Sequence, residues 1–378
     1  RESDAAVMCK AIGVDSPEQL IEQTVPASIR LDKPLNLPPA MSESEYLAHI
    51  RDLGKGNKLL RSFIGQGYYR VAGPPVIIRN VLENPAWYTS YTPYQAEISQ
   101  GRLEALLNFQ TMVASLTAME IANASLLDEA TAAAEAMIMM FNARSRDKVK
   151  AGANLFLVDN SVFRQTRDVL ITRAAPLGIE IQFVDYKLIE PDPRMFGVIV
   201  QYPAACGEVR DYRELAVKVH GAGALLGVGA DLMSLTLLTP PGEWGADIVF
   251  GSNQRFGLPM SYGGPHAGFF ATRDEMKRNM PGRLIGVSID AQGNQALRMA
   301  LQTREQHIKR ERATSNICTA QALLATMSGM YAQYHGPEGL KGIARHIFSA
   351  ACTLAGALKK LGYTIKHDQF FDTVRVQA

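Results

Sequence analysis

The sequence lacks the features that mark membrane proteins and nucleic-acid-binding proteins. No run of about 18 apolar residues occurs in the 378 residues, which excludes an ordinary membrane-spanning helix. The 39 basic and 37 acidic side chains nearly cancel, so the chain has no basic surplus with which to bind phosphate backbones or anionic lipids. We therefore expect no nucleic-acid partner and no membrane association.

Cysteine and histidine are few and scattered. The four cysteines (Cys9, Cys206, Cys318 and Cys352) are far apart along the chain, and no two of the seven histidines stand at metal-ligand spacing. The sequence therefore predicts neither a disulfide framework nor a metal site. Unpaired thiols favour a reducing compartment, for which the cytoplasm is the preferred prediction and the mitochondrial matrix the alternative.

The chain also lacks an initiator methionine. It begins at Arg1 without an apolar signal segment, so we expect either a removed targeting peptide or a cut chain. At the other end, strand-like segments at 363–366 and 371–377 have no further strand to complete their sheet. Because an isolated pair of strands is marginally stable, this favours a truncated C-terminus.

The pattern of apolar residues predicts three regions: a helical segment at 1–60, a large α/β domain at 61–335, and a connecting helix with the start of a small α/β domain at 336–378. Within the large domain, strand-like runs alternate with helical segments; these runs are at 155–158, 179–186, 197–202, 225–228, 247–250 and 267–272. Such alternation predicts a mostly parallel sheet covered by helices. Ligands of such sheets bind beyond the carboxyl ends of the strands.

One further absence concerns lysine. No lysine lies between Lys218 and Lys277, and the loop that follows the strand at 247–250 carries Arg255 before a Gly-Gly-Pro turn at 263–265. Enzymes that use pyridoxal phosphate (PLP) present their Schiff-base lysine on such a loop. A lysine amine can lose its proton and condense with an aldehyde, whereas a guanidinium stays protonated. The scaffold therefore predicts a cofactor enzyme whose reactive residue is missing.

Long motifs match one family closely. They read NPAWYT at 84–89, YTPYQAEISQGRLE at 91–104, NFQTM at 108–112, QRFG at 254–257, GGPH at 263–266, TREQHI at 303–308 and TSNICT at 314–319. These motifs resemble the N-terminal half of glycine decarboxylase, the P-protein family of the glycine cleavage system. The resemblance covers nearly the whole chain.

The resemblance implies a fold-type-I PLP-transferase-like domain, with a seven-stranded-type sheet and helices on both faces. The family is built from two homologous halves, and only the C-terminal half carries the PLP lysine. The complete enzyme decarboxylates glycine and transfers the aminomethyl group to the lipoyl arm of the H-protein. The resemblance thus implies three partners for this chain: the C-terminal half, the H-protein and further copies in a homo-oligomer.

The resemblance also implies that this half has lost its PLP site. Arg255 occupies the position of the Schiff-base lysine, and Val228 occupies that of the aspartate that pairs with the pyridinium nitrogen. The phosphate-binding loop corresponds to residues 124–129, where two leucines obstruct a phosphate and two carboxylates repel it. We therefore expect no catalytic residue and no covalently bound PLP in this chain.

Two further expectations concern the surface. An aromatic group with its polar neighbours is expected to line the junction with the active half or face its cleft, and plain core or interface packing is the less favoured alternative; its members are Trp87, Tyr88, Tyr91, Thr92, Pro93, Tyr94 and Gln95. Cys318 lies near the start of a predicted helix, where the dipole favours the thiolate, so we expect it to be the most reactive thiol. A buried, inert Cys318 is the alternative.

Three alternative functions stay open on the sequence. The glycines at 221–227 suggest a dinucleotide loop, but their spacing and position before a strand favour a helix end and a turn. A self-sufficient PLP enzyme would need a lysine elsewhere. A stand-alone PLP-fold scaffold or binding protein without catalysis is the remaining alternative.

Overall fold

The computed structural model describes residues 2–31, 33–61, 63–64, 68–88, 94–261, 266–313, 317 and 321–377. The chain divides into two compact units, Arg1–Arg61 and Ser62–Ala378. Among the described residues, no helix combines the length and the apolar character that crossing a membrane requires.

The first unit is helical. It contains α1 (Glu2–Ile12), α2 (Pro17–Thr24), a short 3-10 turn (Ala27–Ile29) and α3 (Glu43–Gly54). The Ser16 hydroxyl caps α2 by accepting from the Gln19 amide at 3.1 Å. Ser42 and Glu45 form a reciprocal capping box at the start of α3. Both helix starts are where the cap residues in the sequence predict them.

The second unit is built on a seven-stranded sheet. Its strands are β1 (Ile121–Ala122), β2 (Leu155–Asp159), β3 (Glu180–Val184), β4 (Met195–Tyr202), β5 (Leu225–Ala230), β6 (Ile248–Ser252) and β7 (Gly268–Thr272). They lie in the order β1-β7-β6-β5-β4-β2-β3. The pairs from β6 to β3 are parallel, and β7 and β1 add two antiparallel pairs at one edge. The predicted mostly parallel sheet is confirmed.

Helices cover both faces of this sheet. In chain order the described helices of this unit are α4 (Pro75–Ile77), α5 (Pro85–Tyr88), α6 (Gln100–Thr117), α7 (Glu129–Asn142), α8 (Arg146–Lys150), α9 (Arg164–Ala174), α10 (Arg213–Gly221), α11 (Gln306–Lys309) and α12 (Ala322–Lys360). Side chains alternate along each strand, so Leu155 and Leu157 join one core with α6, α10 and α12. Phe156 and Val158 join the opposite core with α7 and α9.

Four details refine the expected elements. A hairpin of β8 (Ile285–Ile289) and β9 (Gln295–Met299) was not anticipated from the sequence. Gly336 interrupts α12 with φ 62° and ψ 176°, and this break divides α12 into two helical parts. Near the C-terminus, β10 (Thr364–Ile365) pairs antiparallel with β11 (Val376–Gln377). Helix α10 ends at Gly221 and β5 begins at Leu225, which confirms the helix end and turn.

Candidate functional site

The carboxyl ends of β4, β5 and β6 form one edge of the sheet, where the loops that follow these strands meet. A small cavity of about 100 Å³ lies there. It is lined by Tyr69, Glu129, Phe163, Gln201, Pro203, Ala204, Ala205, Ala230, Asp231, Ser252, Gln254, Arg255, Asp372 and Thr373. This is the edge at which ligands of parallel sheets bind, so it is the candidate site.

Arg255 is held between two carboxylates at this edge. Its Nη1 donates to Asp231 Oδ2 at 2.5 Å and to Asp372 Oδ2 at 2.6 Å, and its side chain is 14% exposed. Burial alone would lower the pKa of Arg255, but Asp231 and Asp372 outweigh it and raise this pKa above its ordinary value. The guanidinium therefore stays charged and cannot act as a nucleophile.

Val228 lies in the middle of the sheet, beneath this edge. It pairs with Val200 on β4 and Val249 on β6, and all three side chains are fully buried in one apolar core. A valine here offers no acceptor for a pyridinium proton, on which the chemistry of a bound PLP depends.

The N-terminus of α7 is capped by side chains of its own first turn. Asp128 Oδ1 accepts from the Thr131 amide at 2.7 Å, and the Thr131 hydroxyl accepts from the Asp128 amide at 3.2 Å. Leu126, directly before them, is fully buried and its backbone pairs with Gly268. Because the Asp128 carboxylate already occupies the N-terminus of α7, a phosphate there would meet like charge.

Glu129 adds a buried carboxyl group at the same place. Its Oε1 accepts from Gln201 Nε2 at 3.0 Å. Burial, followed by the nearby charges of Asp231 and Asp128, raises the pKa of Glu129 to about 7. The sequence reasoning noticed Glu129 only as a repulsive charge; its pairing with Gln201 on β4 depends on which strand lies beside α7.

The residues expected to face a partner half differ in how exposed they are in the structure. Tyr88 and Gln95 are exposed, Trp87 is half-buried against the core, and Tyr94 is buried at 5% exposure. The other members (Tyr91, Thr92 and Pro93) lie outside the described residues, as does Cys318. Contact with a partner half stays a prediction, and the burial of Tyr94 shows that it also belongs to the core.

Sequence reasoning missed Tyr69 and Asp372, which surround Arg255 from distant parts of the chain. The Arg255 guanidinium lies 5.1 Å from the ring centre of Tyr69 and 5.5 Å from that of Phe371. Beside this site, a groove of about 870 Å³ runs between residues 69–74 and α12. No local pattern links these segments, since 117 residues separate Arg255 from Asp372.

The model of the glycine cleavage system P-protein family matches residues 1–378. The chain belongs to this family. It is 60% identical over 376 residues to glycine dehydrogenase (decarboxylating) of Bacteroides thetaiotaomicron, covering 100% of this chain and 40% of that protein. The glycine dehydrogenase (decarboxylating) of Flavobacterium johnsoniae is 57% identical over 378 residues, which again cover 100% of this chain and 40% of that protein. The chain thus spans about 40% of the length of these curated relatives, and it corresponds to their N-terminal half.

Solved structures agree with this assignment to the P-protein family. A crystal structure of glycine decarboxylase (P-protein) of the glycine cleavage system, in inhibitor-bound form, matches with a TM-score of 0.86 and 36% identity. The match covers 98% of this chain and 84% of that chain. Sphingosine-1-phosphate lyase of Burkholderia pseudomallei (TM-score 0.60, 12% identity, 92% and 81% covered) shares the fold alone. The fold-type-I architecture is confirmed.

Among the described residues, the side chains at this edge of the sheet do not fit PLP. Arg255 offers no amine for an imine, Val228 offers no acceptor, and the N-terminus of α7 carries its own carboxylate. The cavity of about 100 Å³ also falls below the roughly 300 Å³ at which small-molecule pockets begin.

Proposed function

We propose that this chain is the half of a P-protein that does not bind PLP, and that it supports the active cleft of the C-terminal half. The observation that carries the proposal is the placement of Arg255 between Asp231 and Asp372, at the position that resembles the Schiff-base lysine of the active half. The C-terminal half, in the same polypeptide or as a separate subunit, is the partner that holds the cofactor.

In the proposed complete enzyme, PLP bound by the other half supplies the electron sink for the decarboxylation of glycine. The aminomethyl group then passes to the lipoyl arm of the H-protein. The names of the relatives support this reaction, since they are glycine dehydrogenases (decarboxylating) that this chain matches over its whole length. The exposed side chains of Tyr88 and Gln95 are proposed to face the partner half.

The ion pairs of Arg255 give this half a structural role at the edge of its sheet. Asp231 directly follows β5, Arg255 lies beyond β6, and Asp372 comes from the C-terminal segment. The triad therefore ties three segments together where an active half would keep its cofactor pocket open. A fixed edge of this kind holds neighbouring loops in one geometry, as a cleft wall requires.

Incubation of the chain with PLP tests the absence of a cofactor site. We expect no Schiff-base absorbance and, after borohydride reduction and peptide mapping, no pyridoxyl group at a defined lysine. Arg255→Lys alone is expected to behave the same way, because Val228 and the capped start of α7 remain. The C-terminal half, treated in parallel, is the positive control.

The outcome that contradicts the proposal is a pyridoxyl-lysine at one position of this chain together with glycine-dependent release of CO2. Partnership is tested separately, by mixing this chain with the C-terminal half and measuring their association by sedimentation. If the two halves do not associate, and the mixture decarboxylates glycine no faster than the C-terminal half alone, the stand-alone scaffold becomes the better explanation.

A further inference from the structure

Three side chains with metal-binding atoms meet beside the candidate site. Cys206 Sγ, a Glu208 carboxylate oxygen and a ring nitrogen of His367 all lie within 4.8 Å of one another. Cys206 and Glu208 belong to the loop after β4, and His367 belongs to the segment after β10. A backbone hydrogen bond joins the two segments, since the Val209 amide donates to the Gln369 carbonyl at 2.9 Å.

We propose that Cys206, Glu208 and His367 bind a zinc ion. Thiolate, imidazole and carboxylate are the ligand types that Zn²⁺ prefers. Three protein ligands leave one tetrahedral position, which a water molecule can take. Small adjustments of the side chains bring their atoms from 4.8 Å to the spacing that bonds of about 2.0–2.3 Å to one ion require.

The imidazole of His367 points to a missing ligand. Its Nδ1 lies 3.6 Å from Glu208 Oε1, which is too long for a hydrogen bond. Its Nε2 is buried and has no hydrogen-bond partner among the described residues. The two ring nitrogens point to opposite sides of the imidazole, so the buried Nε2 calls for a partner of its own. Nδ1, which faces the Glu208 carboxylate without a hydrogen bond, is the nitrogen placed to bind the ion.

Arg210 contacts both the Glu208 carboxylate and the Cys206 thiol. Its Nε donates to Glu208 Oε2 at 2.7 Å, which orients the carboxylate and leaves Oε1 toward His367. Its Nη2 lies 3.9 Å from Cys206 Sγ, within reach of a weak hydrogen bond.

The charges at this site balance when the ion is bound. Arg210 also pairs with the buried Asp159 at 2.9 Å. The two charges of Zn²⁺ and the one of Arg210 are therefore matched by the Cys206 thiolate, Glu208 and Asp159. On binding, the S–H bond of the thiol breaks, a Zn–S bond forms, and one proton leaves to solvent.

A bound ion would act as a clamp, because it would join two segments that both contribute to the Arg255 site. His367 and Asp372 belong to one short segment, and Asp372 pairs with Arg255. The loop that holds Cys206 and Glu208 also supplies Ala204 and Ala205 to the wall of the Arg255 cavity. Zinc would thus fix the C-terminal segment against the loop after β4 and hold Asp372 on Arg255.

The test is a titration of the metal-stripped full chain with Zn²⁺ and with Co²⁺. We expect one tight site per chain, release of one proton, and a thiolate-to-cobalt absorption band. Cys206→Ser and His367→Gln should each weaken binding more than the roughly 10–100-fold that loss of an outer residue costs. Cys352→Ser, which removes an exposed cysteine elsewhere, should bind like the parent chain.

A second measurement follows the clamp itself. Zn²⁺ should slow hydrogen exchange in residues 366–372 of the parent chain and leave His367→Gln unchanged. Absence of a thiolate-to-cobalt band in the parent chain overturns the proposal, and so does equal binding by a folded Cys206→Ser variant. If Cys206→Ser does not fold, the cobalt band of the parent chain and the binding of His367→Gln decide the question.

Discussion

At the scale of the residue, Arg255 is held by opposite charges on two sides. A lysine on this loop could lose its proton and react, whereas the guanidinium is buried between Asp231 and Asp372 and stays charged. The same position therefore serves as a structural joint. Its contribution depends on the pairing, because a buried charge without a partner is costly.

We expect Arg255→Ala to lower the free energy of unfolding by about 3–5 kcal/mol, since it leaves Asp231 and Asp372 as unpaired carboxylates. Urea unfolding followed by circular dichroism measures this change. Lys277→Ala is the matched control, because Lys277 pairs with Asp274 at the surface, and such pairs contribute at most about 1 kcal/mol. Equal losses in the two variants would contradict a buried, mutually dependent triad.

Glu129 makes the stability of the chain depend on pH. Its pKa rises from an ordinary 4.5 to about 7 in the folded chain, chiefly through burial. Between these values the folded state binds more protons than the unfolded state, so stability falls as pH rises through the window. The full difference corresponds to at most about 3 kcal/mol.

We therefore expect Glu129→Gln to reduce the fall in the free energy of unfolding between about pH 5 and about pH 7. Above about pH 7 the variant should be more stable than the parent chain. Glutamine keeps a side-chain oxygen that can accept from Gln201. Urea unfolding across this pH range measures the effect, with Glu275→Gln, at an exposed position, as the control. If the two variants show the same pH dependence, Glu129 is not the group that titrates.

At the scale of the element, two of the five glycines in α12, Gly336 and Gly342, have opposite roles. Gly336 has φ 62° and ψ 176°, a conformation that only glycine adopts easily, and no atom would obstruct a side chain there. Gly342 lies in the helical part of α12, also with open space around it. The first glycine permits the break in the helix, and the second only weakens it.

The two alanine variants should therefore differ in sign. We expect Gly336→Ala to destabilise the chain by about 1–3 kcal/mol through backbone strain. Gly342→Ala should stabilise it by about 0.5–1 kcal/mol, because alanine is the better helix former. Thermal unfolding of the two variants side by side measures the difference. A stabilised Gly336→Ala variant would mean that α12 can continue straight through residue 336.

At the scale of the whole molecule, exposed apolar side chains stand on the β8–β9 hairpin. Val287 and Ile289 are 61% and 73% exposed on the same strand, two residues apart, so they point to one face. Neighbouring apolar side chains on an exposed strand favour association with another protein surface. In a half that is proposed to pack against a partner, this hairpin is a surface through which copies can associate when the partner is absent.

We therefore expect the chain alone to form a homodimer or a larger species at micromolar concentration, as measured by sedimentation. Replacing Val287 with Thr and Ile289 with Lys should shift the population toward monomer. Val217→Thr is the control, since Val217 is 73% exposed on α10 rather than on the hairpin. A monomeric parent chain that binds no apolar dye would contradict the expectation.

Much of the fold follows from local patterns in the sequence. The capping box of Ser42 and Glu45, the alternation of apolar strands with helices, and the break near Gly336 all depend on neighbours within a few residues. The β8–β9 hairpin was missed although Ile285, Val287 and Ile289 alternate with Gly286 and Ser288, which is the period-2 pattern of a strand. What the alternation did not reveal is that Val287 and Ile289 face solvent, because exposure depends on what packs against the strand.

The sequence by itself determined the family, the alternation of strands and helices in the large domain, and the presence of Arg255 rather than a lysine on the loop after β6, because residue identity and local spacing suffice for each. Only the tertiary structure decided which carboxylates hold Arg255, that Glu129 lies against Gln201, and that His367 meets Cys206 and Glu208. Cys206 and His367 are 161 positions apart, so no spacing rule reveals their approach. The physical reason is that a parallel sheet brings the ends of distant strands to one edge, where charge and coordination depend on neighbours in space.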